Sequence, residues 1–448
     1  MPPAPLILVF LVGASALLAT LWRLLGARPR AQRGARIVAP MPWHRWRGGC
    51  AMLAGVRLTP QDEVRHFKLI GATGAGKSTA IRELLTRALE RGDRVIVADP
   101  DGSYQRRFFD PFQRDALLGP FESGARTWDP FLEIEQPFDL EQLAGALIAG
   151  GEDGAAREWR AYARTFLAAV LGHCQYQRPS SRELWRLLVR ASVEELREVV
   201  QGSPAQPFLE GENARMFASI RSVAGSALAG FEHLQRQRTR PFSVRRWVRD
   251  PGAGRALFLP YRANQIAALR TLIAAWLRLA IFEAMSQREG VDQRLWLVID
   301  ELDALGAIDG LKDALARLRK YGCRCVLGFQ SISQVSAAYA GDANTIIENC
   351  GNTLILRCSA SENGGTSAFA SRLIGDQQVL RHQRSRGREG AGWGRASRSV
   401  TEQLVTEPAV LAAEIEQLPD LRGYFKPASS PAWFTVRLGV KDAVAVHV

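Results

Sequence analysis

The chain has 448 residues, 47% of them apolar, which allows two or three domains with a large core and excludes global disorder. Six cysteines (Cys50, Cys174, Cys323, Cys325, Cys350 and Cys358) exclude a disulfide scaffold, and no pair has zinc-finger spacing. The formal charge is +13, but residues 23–47 hold seven Arg and no acid, and residues 381–398 hold six Arg and one Glu. The remainder is nearly neutral, so a protein coated in basic charge is excluded and any nucleic acid must meet a local patch or a channel.

In chain order, Leu6 to Trp22 comes first, with no charge in 17 residues. As a helix it spans about 26 Å, against about 30 Å for a bilayer core, and Leu24 and Leu25 extend it if Arg23 snorkels. No basic residue precedes the run and seven follow it, the reverse of a signal peptide. The positive-inside rule then places the N-terminus outside and the bulk of the chain in the cytoplasm, as a single-pass membrane protein. Residues 1–25 are read as a transmembrane anchor and 26–60 as a basic juxtamembrane linker.

From His66 onward, short apolar runs alternate with helical stretches. The runs are Phe67–Ile70, Arg94–Ala98, Ala256–Leu259, Leu295–Ile299, Arg324–Phe329 and Thr353–Leu356. Continuous apolar runs suit strands buried on both faces of a mainly parallel sheet, and the alternation defines an α/β fold. Thr79–Arg91 and Gln265–Met285 are two of the separating helices. Between about 130 and 252 only helical patterns occur: Ala155–Tyr176, Arg182–Arg190, Ala214–Leu234, and a capping box of Ser192 with Glu195 before a further short helix. This predicts an all-α domain, 131–252, inserted into an α/β domain of 61–130 and 253–448. Residues 384–399 are low in complexity and read as a mobile loop.

The strongest signal is Gly71-Ala72-Thr73-Gly74-Ala75-Gly76-Lys77-Ser78, which fits GxxxxGK[ST] and continues into Thr79. A strand precedes it and a helix follows. Such glycines let backbone N–H groups close around phosphate oxygens, and the helix N-terminus adds a favourable dipole. Lys77 is expected to reach the β- and γ-phosphates of ATP, and the Ser78 hydroxyl to ligate Mg²⁺. Leu295-Trp-Leu-Val-Ile-Asp300-Glu301 supplies the matching acids at the C-terminal end of a strand, where open α/β sheets bind ligands. Asp300 is expected to hold Mg²⁺ through water, and Glu301 to polarise the attacking water. Gln330, just past the strand Arg324–Phe329, is either a γ-phosphate sensor or a turn residue. Asp99-Pro100-Asp101-Gly102 reads first as a turn. Arg317, Arg319 and Lys320 read as a solvated face, or as the site of an arginine offered to a neighbouring subunit.

On these residues the chain resembles the coupling ATPases of bacterial conjugation and type IV secretion, the TraD/TrwB type. The resemblance is carried by GATGAGKST at 71–79, ADPDG at 98–102, WDPF at 128–131, REWRAYAR at 157–164, LVIDELDAL at 297–305, LRKYGCRCVLGFQSISQ at 318–334 and LPDLRGYF at 418–425, in family order over residues 60–440. It implies a RecA-like P-loop ATPase, hexameric and anchored in the inner membrane, that moves DNA with attached relaxase towards a secretion channel. Its partners would be the relaxosome and the channel's ATPases or inner-membrane components. It also makes Gln330 and Arg319 nucleotide-site residues, Arg319 acting on the neighbouring subunit. Family members usually carry two transmembrane helices around a small periplasmic domain, whereas this sequence shows one.

Two other readings compete: a related hexameric pump for chromosomal duplex, and a secretion receptor that uses nucleotide only as a switch. The helical insertion and WDPF favour conjugation over the first. Glu301 argues against the second, since a switch needs no hydrolytic acid. For gripping DNA, the arginines of 381–398 with Trp393 are one candidate. Trp159 with Arg157, Arg160 and Arg164 is another.

Overall fold

The computed structural model of the chain describes residues 31–40, 51–150, 154–177, 179–211, 213–290, 292–361, 364–387 and 397–439. The six apolar runs become strands of one large sheet, in which further strands join them. In chain order they are β1 (Phe67–Ile70), β2 (Arg94–Pro100), β3 (Ala116–Leu117), β4 (Ala256–Tyr261), β5 (Leu295–Ile299), β6 (Arg324–Phe329), β7 (Asn352–Ile355), β8 (Arg422–Lys426) and β9 (Trp433–Arg437). They lie in the order β9-β8-β7-β1-β6-β5-β2-β4-β3. From β7 to β3 every neighbouring pair is parallel, while β8 is antiparallel to both β7 and β9. Strands β1, β4, β5, β6 and β7 are buried at every residue, which is why all but the mixed β7 read as nearly unbroken apolar runs. β8 and β9 are hidden in the sequence because each is five residues long and carries exposed arginine.

α1 (Lys77–Glu90) follows β1 directly. Ala80, Ile81, Leu84, Leu85 and Ala88 recur at helical spacing and join one cluster with Val95, Val97, Trp296, Val298 and Val326. One face of the sheet is thereby covered.

The helical stretch contains α2 (Pro137–Leu147), α3 (Gly154–Gln177), α4 (Ser181–Val189), α5 (Val193–Val199) and α6 (Ala214–Ala227). Among the described residues it has no strand between 130 and 240. The chain enters it at Thr127–Trp128 and leaves at Pro241–Phe242, and these two segments pair in parallel. Trp128 explains the WDPF motif. It is fully buried, packs edge-on against Phe231 and Trp276, and donates its indole N–H to Glu133 at 2.8 Å. Buried Glu133 also accepts from the Ser243 hydroxyl and from the N–H groups of Val244 and Arg245. One carboxylate thus ties together the way in and the way out. α7 (Ile266–Ser286) buries residues on all sides because it lies between β4 and α2.

Two local expectations change. The Ser192 hydroxyl accepts the Glu195 N–H at 3.2 Å, but the Glu195 carboxylate is taken by Arg186, so only half of the capping box forms. The helix expected over Ala214–Leu234 ends at Ala227 and resumes as a short turn at Phe231. Between them, a Cβ on Gly230 would meet Leu272 at 2.7 Å and the Ala268 carbonyl at 2.9 Å.

Residues 31–37, 371–387 and 397–411 belong to a second, smaller compact unit. Asp376–Gly387 and Ser397–Pro408 are antiparallel strands of twelve residues each, and Ala31–Gly34 pairs with the first. The mobile loop expected at 384–399 is therefore corrected at 384–387 and 397–399, which are strand. These strands carry few apolar residues and no clean alternation, so only the cross-strand pairing defines them. Residues 388–396, with Trp393, lie outside the described residues, as does the apolar run Leu6 to Trp22. Among the described residues no helix is long and apolar enough to cross a membrane.

At the start of β1 the ring of His66 is buried. Its Nδ1 accepts the Cys325 N–H at 3.1 Å and its Nε2 lies 2.9 Å from the Leu315 carbonyl, so the ring is neutral with its proton on Nε2. Burial, opposed by that carbonyl and aided by Arg319 and Arg324, lowers its pKa from 6.5 to about 4. Above pH 6.5 the ring is neutral in the folded and unfolded chain alike. As the pH falls from 6.5 to about 4, the unfolded chain takes up a proton that the folded chain refuses, and stability falls. The loss at pH 5 is about 2 kcal/mol. Urea unfolding at pH 7.5 and pH 5 should show that loss in the wild type and not in His66→Gln, over and above whatever the two share.

Candidate nucleotide-binding site

β1 ends at Ile70, and Gly71–Gly76 turn the chain into α1. Gly74 and Gly76 have φ of 76° and 119°, in the left-handed region that favours glycine. Nothing lies within 4 Å of a Cβ built on Gly74, so the loop is open on that side, whereas one on Gly76 would meet Leu421 at 2.9 Å. The Ala72 N–H donates to Arg357 O at 2.7 Å, and the Leu421 N–H donates to Ala75 O at 3.0 Å. The LPDLRGYF segment therefore braces the loop. The first-turn N–H groups of α1 have no intrahelical acceptor, which suits an anionic ligand.

Lys77 is buried and donates from Nζ to Gly71 O at 2.6 Å and Ala72 O at 3.2 Å. Burial lowers its pKa, against the pull of Asp300 and Glu301. Asp300 emerges from β5, and its Oδ2 accepts the Ser78 hydroxyl at 2.7 Å. Its Oδ1 is buried and has no partner among the described residues. A hydroxyl and an orphaned carboxylate oxygen, both hard donors, fit Mg²⁺ or its water shell, so Ser78 and Asp300 are the residues that would hold it. Bound there, the ion would offset phosphate charge.

Glu301 follows, with its pKa raised by burial and then by the neighbouring charges of Asp300 and Asp303. Gln330 donates from Nε2 to Glu301 Oε1 at 3.2 Å and accepts from the Thr73 hydroxyl at 2.7 Å. A continuous chain thus runs from the loop through Gln330 to Glu301. It depends on Gly328, where a Cβ would lie 2.3 Å from the Asp300 carbonyl oxygen.

Two site residues are not apparent from the sequence. Tyr104, fully buried, donates its hydroxyl to Asp300 Oδ2 at 2.7 Å. Asp99 accepts the N–H groups of Tyr104 and Gln105 at 3.0 and 2.7 Å, and burial pushes its pKa up to about 6. The turn chemistry of Pro100-Asp101-Gly102 masks both. Asp99 could still be suspected from its place at a strand's C-terminal end.

Arg319 is exposed in a 3₁₀ turn ahead of β6, close enough to His66 to depress its pKa. His66 precedes β1 and the loop follows it, so Arg319 stands at the other end of the strands from its own nucleotide site. The REWRAYAR arginines are partly engaged. Arg164 donates to Asp309 Oδ2 at 3.3 Å and Ile148 O at 2.7 Å, and Arg160 donates to Gly150 O at 2.7 Å. Arg278 shares the same Asp309 oxygen at 2.9 Å. Arg157 is exposed, and Trp159 is half-buried, edge-on to Tyr162 at 6.1 Å. In the hairpin, Arg381 pairs with Glu407. Counting both strands and their link, residues 376–408 hold six Arg against Asp376, Glu389, Glu402 and Glu407, a net +2.

A phosphate-binding loop between β1 and α1, acids at the end of β5, and β1 held between β7 and β6 define a RecA-type P-loop nucleotide-binding fold. A family model described as the type IV secretion-system coupling protein DNA-binding domain matches residues 50–438, and the chain belongs to that family. Coupling protein TraD of Escherichia coli K12 is 30% identical over 390 residues, 85% of this chain and 53% of TraD. An Escherichia coli conjugal transfer protein TraG is 23% identical over 338 residues, 66% of this chain and 52% of TraG. The chain spans about half the length of the curated relatives it matches. An unbound form of the bacterial conjugative coupling protein TrwBdeltaN70 matches with a TM-score of 0.82 at 32% identity, covering 93% of this chain and 96% of that one. TrwB in complex with ADP and Mg²⁺ matches with a TM-score of 0.82 at 30% identity, covering 94% and 97%.

The Gly328 contact gives a direct prediction. Gly328→Ala must push β6 away from the Asp300 carbonyl, which should destabilise the fold by about 1–3 kcal/mol in urea unfolding and weaken nucleotide binding with it.

Proposed function

We propose that this chain is the motor of a type IV coupling protein: an ATP-driven DNA translocase that recruits DNA with attached relaxase and pumps it towards a conjugative secretion channel. The observation that carries the reading is the hydrogen-bonded set around the loop, Ser78 with Asp300 and Thr73 through Gln330 to Glu301, in a chain of the coupling-protein family. The complexes of TrwB with ADP and Mg²⁺ and with ADPNP support ATP and Mg²⁺ as the cofactors here.

In this reading Lys77 gives up the Gly71 and Ala72 carbonyls and turns to the phosphates. Glu301 takes the proton of the attacking water, and its raised pKa makes it a stronger base than an exposed glutamate. Gln330 reports the state of the loop to Glu301 through Thr73. The run Leu6 to Trp22 supplies the inner-membrane anchor, and residues 131–252 form an inserted all-α domain. Subunits form a homohexamer in which Arg319, remote from its own loop, completes the neighbour's site.

Lys77→Ala should lose nucleotide binding or turnover. Glu301→Gln should bind ATP normally and hydrolyse it at least about 10²-fold more slowly, with or without DNA. Wild-type turnover in Glu301→Gln would overturn the assignment of the acid.

Assembly is tested by mixing Arg319→Ala with Lys77→Ala subunits. Intact arginines of the second should serve intact loops of the first and restore part of the ATPase rate, since such arginines can be worth about 10³–10⁵ in rate. No recovery in rings shown by crosslinking to be mixed would exclude action across subunits.

A further inference from the structure

Tyr104 has no part in the reading above, yet it is fully buried against the acid at the centre of the site. Its hydroxyl donates to Asp300 Oδ2 at 2.7 Å, the same oxygen that accepts Ser78 at 2.7 Å. The other oxygen, Oδ1, is buried and unpartnered among the described residues. Tyr104 is itself fixed. Asp99 holds the N–H groups of Tyr104 and Gln105, and the Arg82 guanidinium lies 5.8 Å from the ring centroid. β2 and β5 are neighbours with Ala98 opposite Ile299, so Asp99 and Asp300 leave the sheet side by side. The rigid sheet, rather than a free loop, places the tyrosine.

The last torsion of an aspartate is broad and roughly two-fold, so a carboxylate held by one donor can turn. Two donors on one oxygen fix the torsion and decide which oxygen stays available. Ser78 can keep giving its proton to Oδ2 while its lone pairs serve a cation. Tyr104 offers only the hold.

We propose that Tyr104 is a positioning residue of the nucleotide site, which fixes the Asp300 carboxylate so that Oδ1 is the oxygen available to the Mg²⁺ that accompanies the nucleotide. The inference rests on the reading of Asp300 as the metal-facing acid. Outer partners of metal-ligating groups are typically worth about 10–100-fold in metal affinity.

The test is a free-Mg²⁺ titration of N-methylanthraniloyl-ADP fluorescence on the full chain, in wild type, Tyr104→Phe and Asp300→Asn. Affinity for the same nucleotide in EDTA and the thermal midpoint without nucleotide are measured alongside. Tyr104→Phe should raise the Mg²⁺ midpoint about tenfold and leave the EDTA affinity unchanged. An unchanged Mg²⁺ midpoint, whatever the thermal midpoint does, would overturn the proposal and leave Tyr104 as packing alone. If Asp300→Asn shifts the midpoint and Tyr104→Phe does not, only the tyrosine's role is lost. If neither shifts it, the reading of Asp300 fails as well. Should Tyr104→Phe not fold, Asp99→Asn, which loosens the backbone hold on Tyr104, is read in the same way: a smaller rise supports the proposal, and no rise overturns it.

Discussion

Gly328 brings β6 so near the turn after β5 that a methyl group there would sit 2.3 Å from the Asp300 carbonyl oxygen. The Leu302 N–H closes the contact by donating to Gly328 O at 2.9 Å. That turn carries Asp300 and Glu301, and Gln330 lies two residues beyond the glycine. Because the two strand ends touch, Gln330 reaches Glu301 on one side and Thr73 of the loop on the other. A wider gap between β5 and β6 would leave the loop and the acids as two separate structures.

The second constraint is electrostatic. Asp300, Glu301 and Asp303 gather near one buried lysine, with Asp99 on the strand beside Asp300, and burial raises the pKa of Asp99 and Glu301 while lowering that of Lys77. Tyr261, buried within reach of the same four carboxylates, has its pKa raised by burial first and by their charge after it. Such a site has a surplus of negative charge held in a poorly solvated setting. A cation entering it relieves that surplus, so the charge arrangement itself couples metal and nucleotide entry.

The loop, the acids and the parallel strands are legible in the sequence because each is local. A glycine-lysine-serine spacing, or an apolar run ending in Asp-Glu, needs no knowledge of distant partners. Tyr104 is illegible because its role exists only where β2 lies beside β5. The hairpin at 376–408 is illegible because its few apolar residues do not alternate cleanly, while β8 is a strand by virtue of pairing with β7, and β9 by pairing with β8. The charge of 381–398 is partly offset, since the pairing strand brings Glu402 to His382 and Glu407 to Arg381. Trp128 belongs to a recognisable motif, but its partner Glu133 gains meaning only when Ser243, Val244 and Arg245 return to meet it.

Asp309 stands nine residues after Asp300, on the stretch that leads away from the site, and it holds Arg164 of α3 and Arg278 of α7 on a single oxygen. Arg278 also donates to the Gly145 carbonyl in α2. Any displacement of this stretch therefore has two outcomes. Either the helices travel with it, or two charge pairs must part. Asp309 is thus a tie between this stretch and the helices, and it holds only while both charge pairs stay closed.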